Sequence, residues 1–340
     1  MSDLTRREAV RRVGGTLLAA GAAAGLGVGL HDRRSGADFF RDEATADARF
    51  LPTFSVPAAA GAASLAIVHG TVVADMVGTA VKALGGMERF IQPGDVVVLK
   101  PNVAFDRGPM LGATTSPAVL EAVARLVREA GARRILVVDN PINQPEGCFH
   151  KTGIAAAAAA AGCELMLPTP DRFAELAVGR QRAEGGVVGD RGEALDVWPL
   201  FYEPFRQATK VIGIAPCKDH NLCGASMSMK NWYGLLGGRR NQFHQQIHSI
   251  VSDFPLMIKP TLVVLDATRI LVKNGPTGGS LSDVKPGGTV VVGTDMVAVD
   301  SYGYTLFERR EPPPEYLAKA QARGLGETDW RALRPVEVNV

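Results

Sequence analysis

Asp95-Val96-Val97-Val98-Leu99-Lys100-Pro101-Asn102 is the stretch that decides the fold class. Its centre is β-branched and apolar without alternation, and it ends on charged and polar residues. A strand of that kind is buried on both faces, as in parallel sheets covered by helices. Downstream, Ser116-Pro117 opens a helix with a capping serine and a proline at the first helical position. Val119, Leu120, Val123, Leu126 and Val127 fall on one side of it, and Gly131 ends it. Residues 135–138 read as a second buried strand, 152–161 as an alanine-rich helix stopped by Gly162, and 164–167 as a short strand. Upstream, 66–68 is a short apolar run and 76–84 has helical spacing ended by Gly85-Gly86. Residues 210–215, 261–266 and 289–292 are further Val/Ile/Leu strands. Strands separated by helices, with no internal repeat, predict an α/β fold: a mostly parallel sheet with helices on both faces. The single α/β domain is expected over 62–340, with the more polar 170–208 as a flap or subdomain. A Pro/Ala/Gly-rich linker over 35–61 precedes it.

The chain has 340 residues, 46% hydrophobic and 21% charged, which is material for a sizeable core. Aromatics make up 6% and do not interleave with basic clusters, which argues against a nucleic-acid groove. Net charge is +2, and the positive excess gathers in residues 1–34 as Arg6, Arg7, Arg11, Arg12, Arg33 and Arg34. Between them, 13–30 is uncharged and rich in Ala, Gly and Leu. Paired arginines before a mildly apolar stretch read as a twin-arginine signal or anchor. The expected partner is therefore the twin-arginine translocation machinery, and the expected location is periplasmic or otherwise extracytoplasmic. Membrane contact is expected only through this N-terminal segment. No small-x-small site follows Leu30, so removal and retention of the segment both stay open.

Polar groups recur where the strands end. Lys100-Pro101-Asn102, Asp139-Asn140-Pro141 and Lys218-Asp219-His220-Asn221 follow three of them, Asp266 ends a fourth, and Asp295 and Asp300 lie beyond the last. In open α/β sheets the ligand crevice lies outside the carboxyl ends of the strands. A second cluster runs Ser226-Met227-Ser228-Met229-Lys230-Asn231-Trp232-Tyr233-Gly234, then Gly237-Gly238-Arg239-Arg240, His244 and His248. The last two histidines are four apart, a spacing that suits two ligands of one metal and equally a polar, solvated helix. His220 is the third candidate ligand, for a divalent metal. Lys100, Lys218 and Lys230 are the candidate catalytic residues, and Asn102, Asp139, Asn231, Asp266 and Asp300 the candidate ligand-binding ones, for a small anionic ligand. Gly-rich 234–238 and 274–279 read as tight turns before phosphate cradles, since neither has P-loop order. Cys217 and Cys223 could pair in an oxidising compartment or lie buried as small apolar groups.

The series K-P-N (100–102), A-T-T-S-P (113–117), K-D-H (218–220), S-M-K-N-W-Y-G (228–234), V-V-L-D-A (263–267), N-G-P-T-G-G (274–279) and G-T-D-M-V-A-V-D (293–300) resembles the family called domain of unknown function 362. The likeness runs over residues 65–305. Many members of that family carry a ferredoxin-like iron–sulfur segment; the four cysteines here lack its spacing, which argues against such a cluster. A more distant similarity is to the N-terminal domain of nickel-pincer lactate racemase. It implies Lys230 as the cofactor-attaching lysine and His244 as a metal ligand, with His248 competing. Two functions follow: a metal-dependent enzyme or cofactor carrier, or a non-catalytic binding or assembly protein of the cell envelope.

Overall fold

Strand β1 (Leu65–His69) and helix α1 (Val73–Ala83) begin an alternation that continues through β2 (Val96–Pro101), α2 (Pro117–Glu129) and β3 (Arg134–Val138). Helices α3 (Pro145–Lys151) and α4 (Ile154–Ala160) lead to β4 (Glu164–Met166). The computed structural model describes residues 49–59, 61–181, 187–309 and 311–340. These fall within one compact unit, Ala44–Val340. The twin-arginine segment lies outside the described residues.

After β4 come β5 (Phe173–Ala177), β6 (Gly179–Gln181), β7 (Val187–Arg191) and β8 (Val197–Phe201). The long β9 (Lys210–His220) turns into β10 (Gly224–Ser226), followed by α5 (Ser228–Asn231) and α6 (Ile247–Met257). The chain closes with β11 (Leu262–Leu271), β12 (Val284–Gly293), α7 (Met296–Thr305), α8 (Glu315–Ala322) and β13 (Val336–Asn339). The main sheet has the order β13-β1-β12-β11-β9-β2-β3-β4, with β10 paired to β9. Neighbours run parallel from β11 through β9, β2 and β3 to β4, and between β1 and β13. They run antiparallel where β12 meets β1 and β11 and where β10 meets β9. The fold is therefore α/β with a mostly parallel, mixed sheet.

Period-2 alternation explains the unbroken apolar runs, because each face of the sheet has its own helices to meet. Val97, Leu99, Ile135, Val137, Ile212 and Ile214 pack with residues of α1, α2, α3 and α4 in one core. Val96, Val98, Leu136, Val138, Val211 and Ala215 pack with residues of α6, α7 and α8 in the other.

Several boundaries differ from the sequence reading. The helix expected over 152–161 is the shorter α4, because Gly153 with φ 77 starts it at Ile154 and separates it from α3, a helix the sequence reading did not place. The last three strands are longer than their apolar cores, since pairing carries β9, β11 and β12 beyond them. Within the expected linker, residues 49–59 are docked: Phe54 is buried, its N–H donates to the Lys259 carbonyl (2.9 Å) and its own carbonyl accepts from Thr261 Oγ1 (2.7 Å). The 170–208 segment carries two antiparallel pairs, β5 with β8 and β6 with β7. It is stapled to α6 by the Asp253 carboxylate, which accepts from the N–H groups of Glu193, Ala194 and Leu195 (2.8–2.9 Å). Cys217 and Cys223 are buried free thiols, with no bridge between them.

Candidate functional site

Three parallel strands, β2, β3 and β9, deliver their C-terminal residues to one pocket. Lys100 comes from β2 and Asn102 from just past its end, Asp139 and Asn140 follow β3, and Lys218 and His220 come from β9. Ser226 lies opposite Lys218 in the β9–β10 pair, so the same side of that ribbon supplies a third residue. Helix α5 and the turn after it close the pocket with Lys230, Asn231, Tyr233 and Gly234; Arg240 and His244 follow. That turn can approach the sheet because β9 has glycine at 213. A Cβ there would stand 2.7 Å from a ring carbon of the fully buried Trp232.

The floor is a connected polar network. Lys100 Nζ lies 2.7 Å from Asp139 Oδ1 and donates to Asn231 Oδ1 (2.9 Å) and the Pro101 carbonyl (3.1 Å). Asp139 Oδ2 accepts from the Val103 N–H at 2.6 Å. Asn231 returns its amide to the Lys100 carbonyl (3.0 Å) and accepts weakly from Asn102 Nδ2 (3.3 Å). Lys218 Nζ donates to the Ala113 carbonyl (2.5 Å), stands 3.4 Å from Asn102 Oδ1, and lies 5.0 Å from the centre of the Phe105 ring. The Arg240 guanidinium is committed to the carbonyls of Asn140, Pro141 and Leu236 (2.9–3.1 Å). Lys230 differs from these. Its Nζ lies over the Tyr233 ring at 4.9 Å, and among the described residues no oxygen accepts a hydrogen bond from it.

Charge and burial are out of balance here. Four cationic side chains line the pocket and Asp139 is the one carboxylate among its lining residues. Burial lowers the pKa of Lys100, Lys218 and Lys230, Lys218 most of all, because a charged ammonium loses hydration there. Mutual repulsion adds to this: Lys230 and Lys100 depress Lys218, and Arg240 depresses Lys100 and Lys230. Burial, then Lys230 and Lys218, push His220 down to about 2, so the ring is neutral. His220 Nδ1 accepts from the Leu222 N–H (3.2 Å), which leaves the proton on Nε2. The pocket is therefore a cluster of donors with one counter-charge.

Not every predicted site residue joins it. Asp266 lies within β11, where its carboxylate accepts from Ser116 N (2.7 Å) at the start of α2 and from Thr268 N and Oγ1. Asp300 accepts from Ser228 N (2.7 Å), Ser228 Oγ and Met229 N (3.0 Å), anchoring the start of α5. Strand β12 runs antiparallel to β11 and ends at the opposite edge of the sheet. Helix α7 then brings Asp300 to the start of α5, where it supports the helix that carries Lys230 without lining the pocket. His248 is also outside the pocket, its ring stacked near Tyr316 at 6.2 Å. Among the described residues no three His, Cys, Asp or Glu side chains gather to hold a metal, so the His220, His244, His248 set is not assembled. Arg240, Tyr233 and Phe105 also belong to the site; the first two stood in the second sequence cluster without an assigned role, and Phe105 was not singled out. Arg240 had a signal, a second arginine behind Gly237-Gly238, whereas Phe105 had none.

The sequence model of the family described as domain of unknown function (DUF362) matches residues 97–305. A thylakoid-associated protein of Synechocystis is 27% identical over 230 residues, covering 65% of this chain and 66% of that protein. A solved protein from Thermotoga maritima aligns over 75% of this chain and 60% of its own, with 12% identity and a TM-score of 0.34. The lactate racemase apoprotein of Thermoanaerobacterium thermosaccharolyticum aligns over 66% of this chain and 55% of its own, with 10% identity and a TM-score of 0.32. The chain thus spans just under two thirds of the relative's length and less of the two solved proteins.

Proposed function

We propose that this chain, which belongs to the DUF362 family, binds a small anion, phosphate or carboxylate, in the pocket at the carboxyl edge of its sheet. The observation that carries the reading is the surplus of cations in a buried site: Lys100, Lys218 and Arg240, all buried, and the partly buried Lys230 face one carboxylate, Asp139. Buried charge is costly unless paired, and an anion supplies the missing counter-charge. The cavity volume of ≈ 70 Å³ suits a single carboxylate or phosphate group. Amines with depressed pKa also act as nucleophiles or bases near neutral pH. Lys230, with no hydrogen-bond partner among the described residues, is the candidate for that role.

Calorimetry of the whole chain with phosphate and with acetate, in two buffers of different ionisation enthalpy, tests the reading. An anion favours the charged form of each amine, so binding should take up protons and weaken as pH rises. Absence of binding by both anions would end the proposal.

An extracytoplasmic location is proposed on two grounds: the twin-arginine pattern of residues 1–34 and the name of the thylakoid-associated relative. Among the described residues no helix is long and apolar enough to cross a membrane. Replacing Arg6 and Arg7 by lysine should retain the protein in the cytoplasm, as read by fractionation; unchanged export would dismiss the assignment.

A further inference from the structure

We infer that the ligand is an amphipathic acid: its anionic head occupies the lysine pocket and an apolar body lies in the groove beside it. This rests on the anion reading above and adds the chemical class of the whole molecule. Next to the pocket the rim opens into a groove of ≈ 680 Å³, the size of an ordinary small-molecule site. Asn140, Ile142 and Arg240 line both cavities, so the two are neighbours along one wall. The pocket takes a head group and little more, and the groove is where the remainder of such a ligand has room.

Most hydrogen-bonding groups of the groove wall are already engaged. Among its polar side chains Asn140 donates to the Leu236 carbonyl, Gln144 bonds Glu146 and the Gly147 N–H, and Thr169 bonds Asp171, which leaves Asn143 to offer an amide. Pro141, Pro145, Pro168, Pro170 and Pro199 line the groove and have no N–H to offer. The N–H groups of Asn140, Ile142 and Gly237 are already given to the carbonyls of Gly234, Ala104 and Pro199. Arg240 is the one charged side chain among the described lining residues, and its guanidinium is committed to backbone carbonyls. Sugar hydroxyls, a second phosphate or an extended peptide backbone would find few partners along this wall. An alkyl or aromatic body needs none. Ile142, 58% exposed, offers it apolar surface at the junction with the pocket. Phe173 forms a wall farther along, close against Gly237, where a Cβ would meet its ring at 2.6 Å.

The test is a chain-length series on the full-length protein: acetate, butyrate, hexanoate and octanoate, each titrated below its micelle concentration. Affinity should rise about fourfold per added methylene until the groove is filled, as transfer of each CH₂ from water predicts. Thr169→Glu introduces a charge at an exposed position of the groove, away from the pocket. It should flatten the series while leaving acetate binding unchanged. Phe173→Ala is a second variant, with its fold checked by circular dichroism because Phe173 stacks on Phe201 at 5.5 Å. Acetate that binds as well as octanoate would overturn the inference and leave the anion pocket standing. A gain with chain length that survives both variants would put the tail elsewhere and also overturn it. Failure of acetate and phosphate alike would remove the anion reading itself.

Discussion

Lys100 Nζ and Asp139 Oδ1 lie 2.7 Å apart, with side-chain exposures of 0% and 2%. A buried pair of this kind is weak evidence for stability, but removing one partner strands the other. Asp139→Asn keeps the side-chain shape and an acceptor for the Val103 N–H while deleting the charge. Lys100 then releases its proton more readily, which limits the loss to about 3 kcal/mol at neutral pH. That cost shrinks as pH rises toward the ordinary lysine value, where the unfolded chain also loses the charge. Urea midpoints at pH 7 and 9.5 check it: a loss that is equal at both, or larger at the higher pH, contradicts the pairing.

Lys230 separates binding from stability. Its ammonium has no hydrogen-bond acceptor among the described residues, only the Tyr233 ring at 4.9 Å. Lys230→Ala should therefore shift the melting temperature by no more than a few degrees, the usual range away from packed or paired positions. Phosphate affinity should fall about tenfold or more, the worth of one charge-assisted hydrogen bond. A melting temperature lowered by ten degrees with affinity intact would make Lys230 structural.

Asp300 predicts a pH dependence with a definite sign. Burial raises its pKa to about 7 against an ordinary 3.8, despite three hydrogen bonds that favour the charged form. Between those values the folded chain holds a proton that the unfolded chain has lost, so this group's contribution falls as pH rises from about 4 to about 7. It is complete below pH 4 and gone above 7. His220, pushed down to about 2, contributes with the opposite slope between about 2 and 6.5. The difference between wild type and Asp300→Asn isolates the aspartate: the wild type should lose stability relative to the variant from pH 4.5 to 7.5. Parallel curves in urea titrations would dismiss the shift.

The parallel half of the sheet was legible because it is covered on both faces, and double coverage writes itself as unbroken Val/Ile/Leu runs such as 96–99 and 135–138. The strand-end rule then named Lys100, Asn102, Asp139, Lys218 and His220, which come together at one pocket. At the last strand the rule misled through direction: nothing local distinguishes a parallel from an antiparallel strand in a short apolar run, and β12 is antiparallel, so Asp295 starts α7 at the other edge. Asp266, on the parallel β11, and Asp300, inside α7, are instead committed to N–H groups at the starts of α2 and α5. Helical spacing misled at His248 for a related reason. Residues 240–246 form a 3-10 turn and α6 starts only at Ile247, so His244 and His248 do not share one helix face. Phe105 was illegible because it reaches the site through the loop after β2, where no periodicity applies.

Gly234 joins the two halves of the site, and substitution there tests how tightly they meet. An added Cβ would stand 2.7 Å from Lys100 Nζ and would collide with Asp139 Oδ1. Its carbonyl also accepts the Asn140 N–H at 3.1 Å, which holds the turn after α5 against the end of β3. Neither neighbour can yield cheaply, since Lys100 and Asp139 are paired and buried among hydrogen-bond partners. Gly234→Ala should therefore cost about 1–3 kcal/mol, as overpacking in a close-packed interior does. It should also lower anion affinity, because the turn lifts away from the sheet and widens the cavity. Gly78→Ala is the matched control, a helical glycine with open space around its Cβ, and should leave both quantities unchanged or slightly raise stability. Equal effects from the two substitutions would mean that the turn does not bear on the strand end as described, and that the Lys100–Asp139 pair tolerates a looser roof.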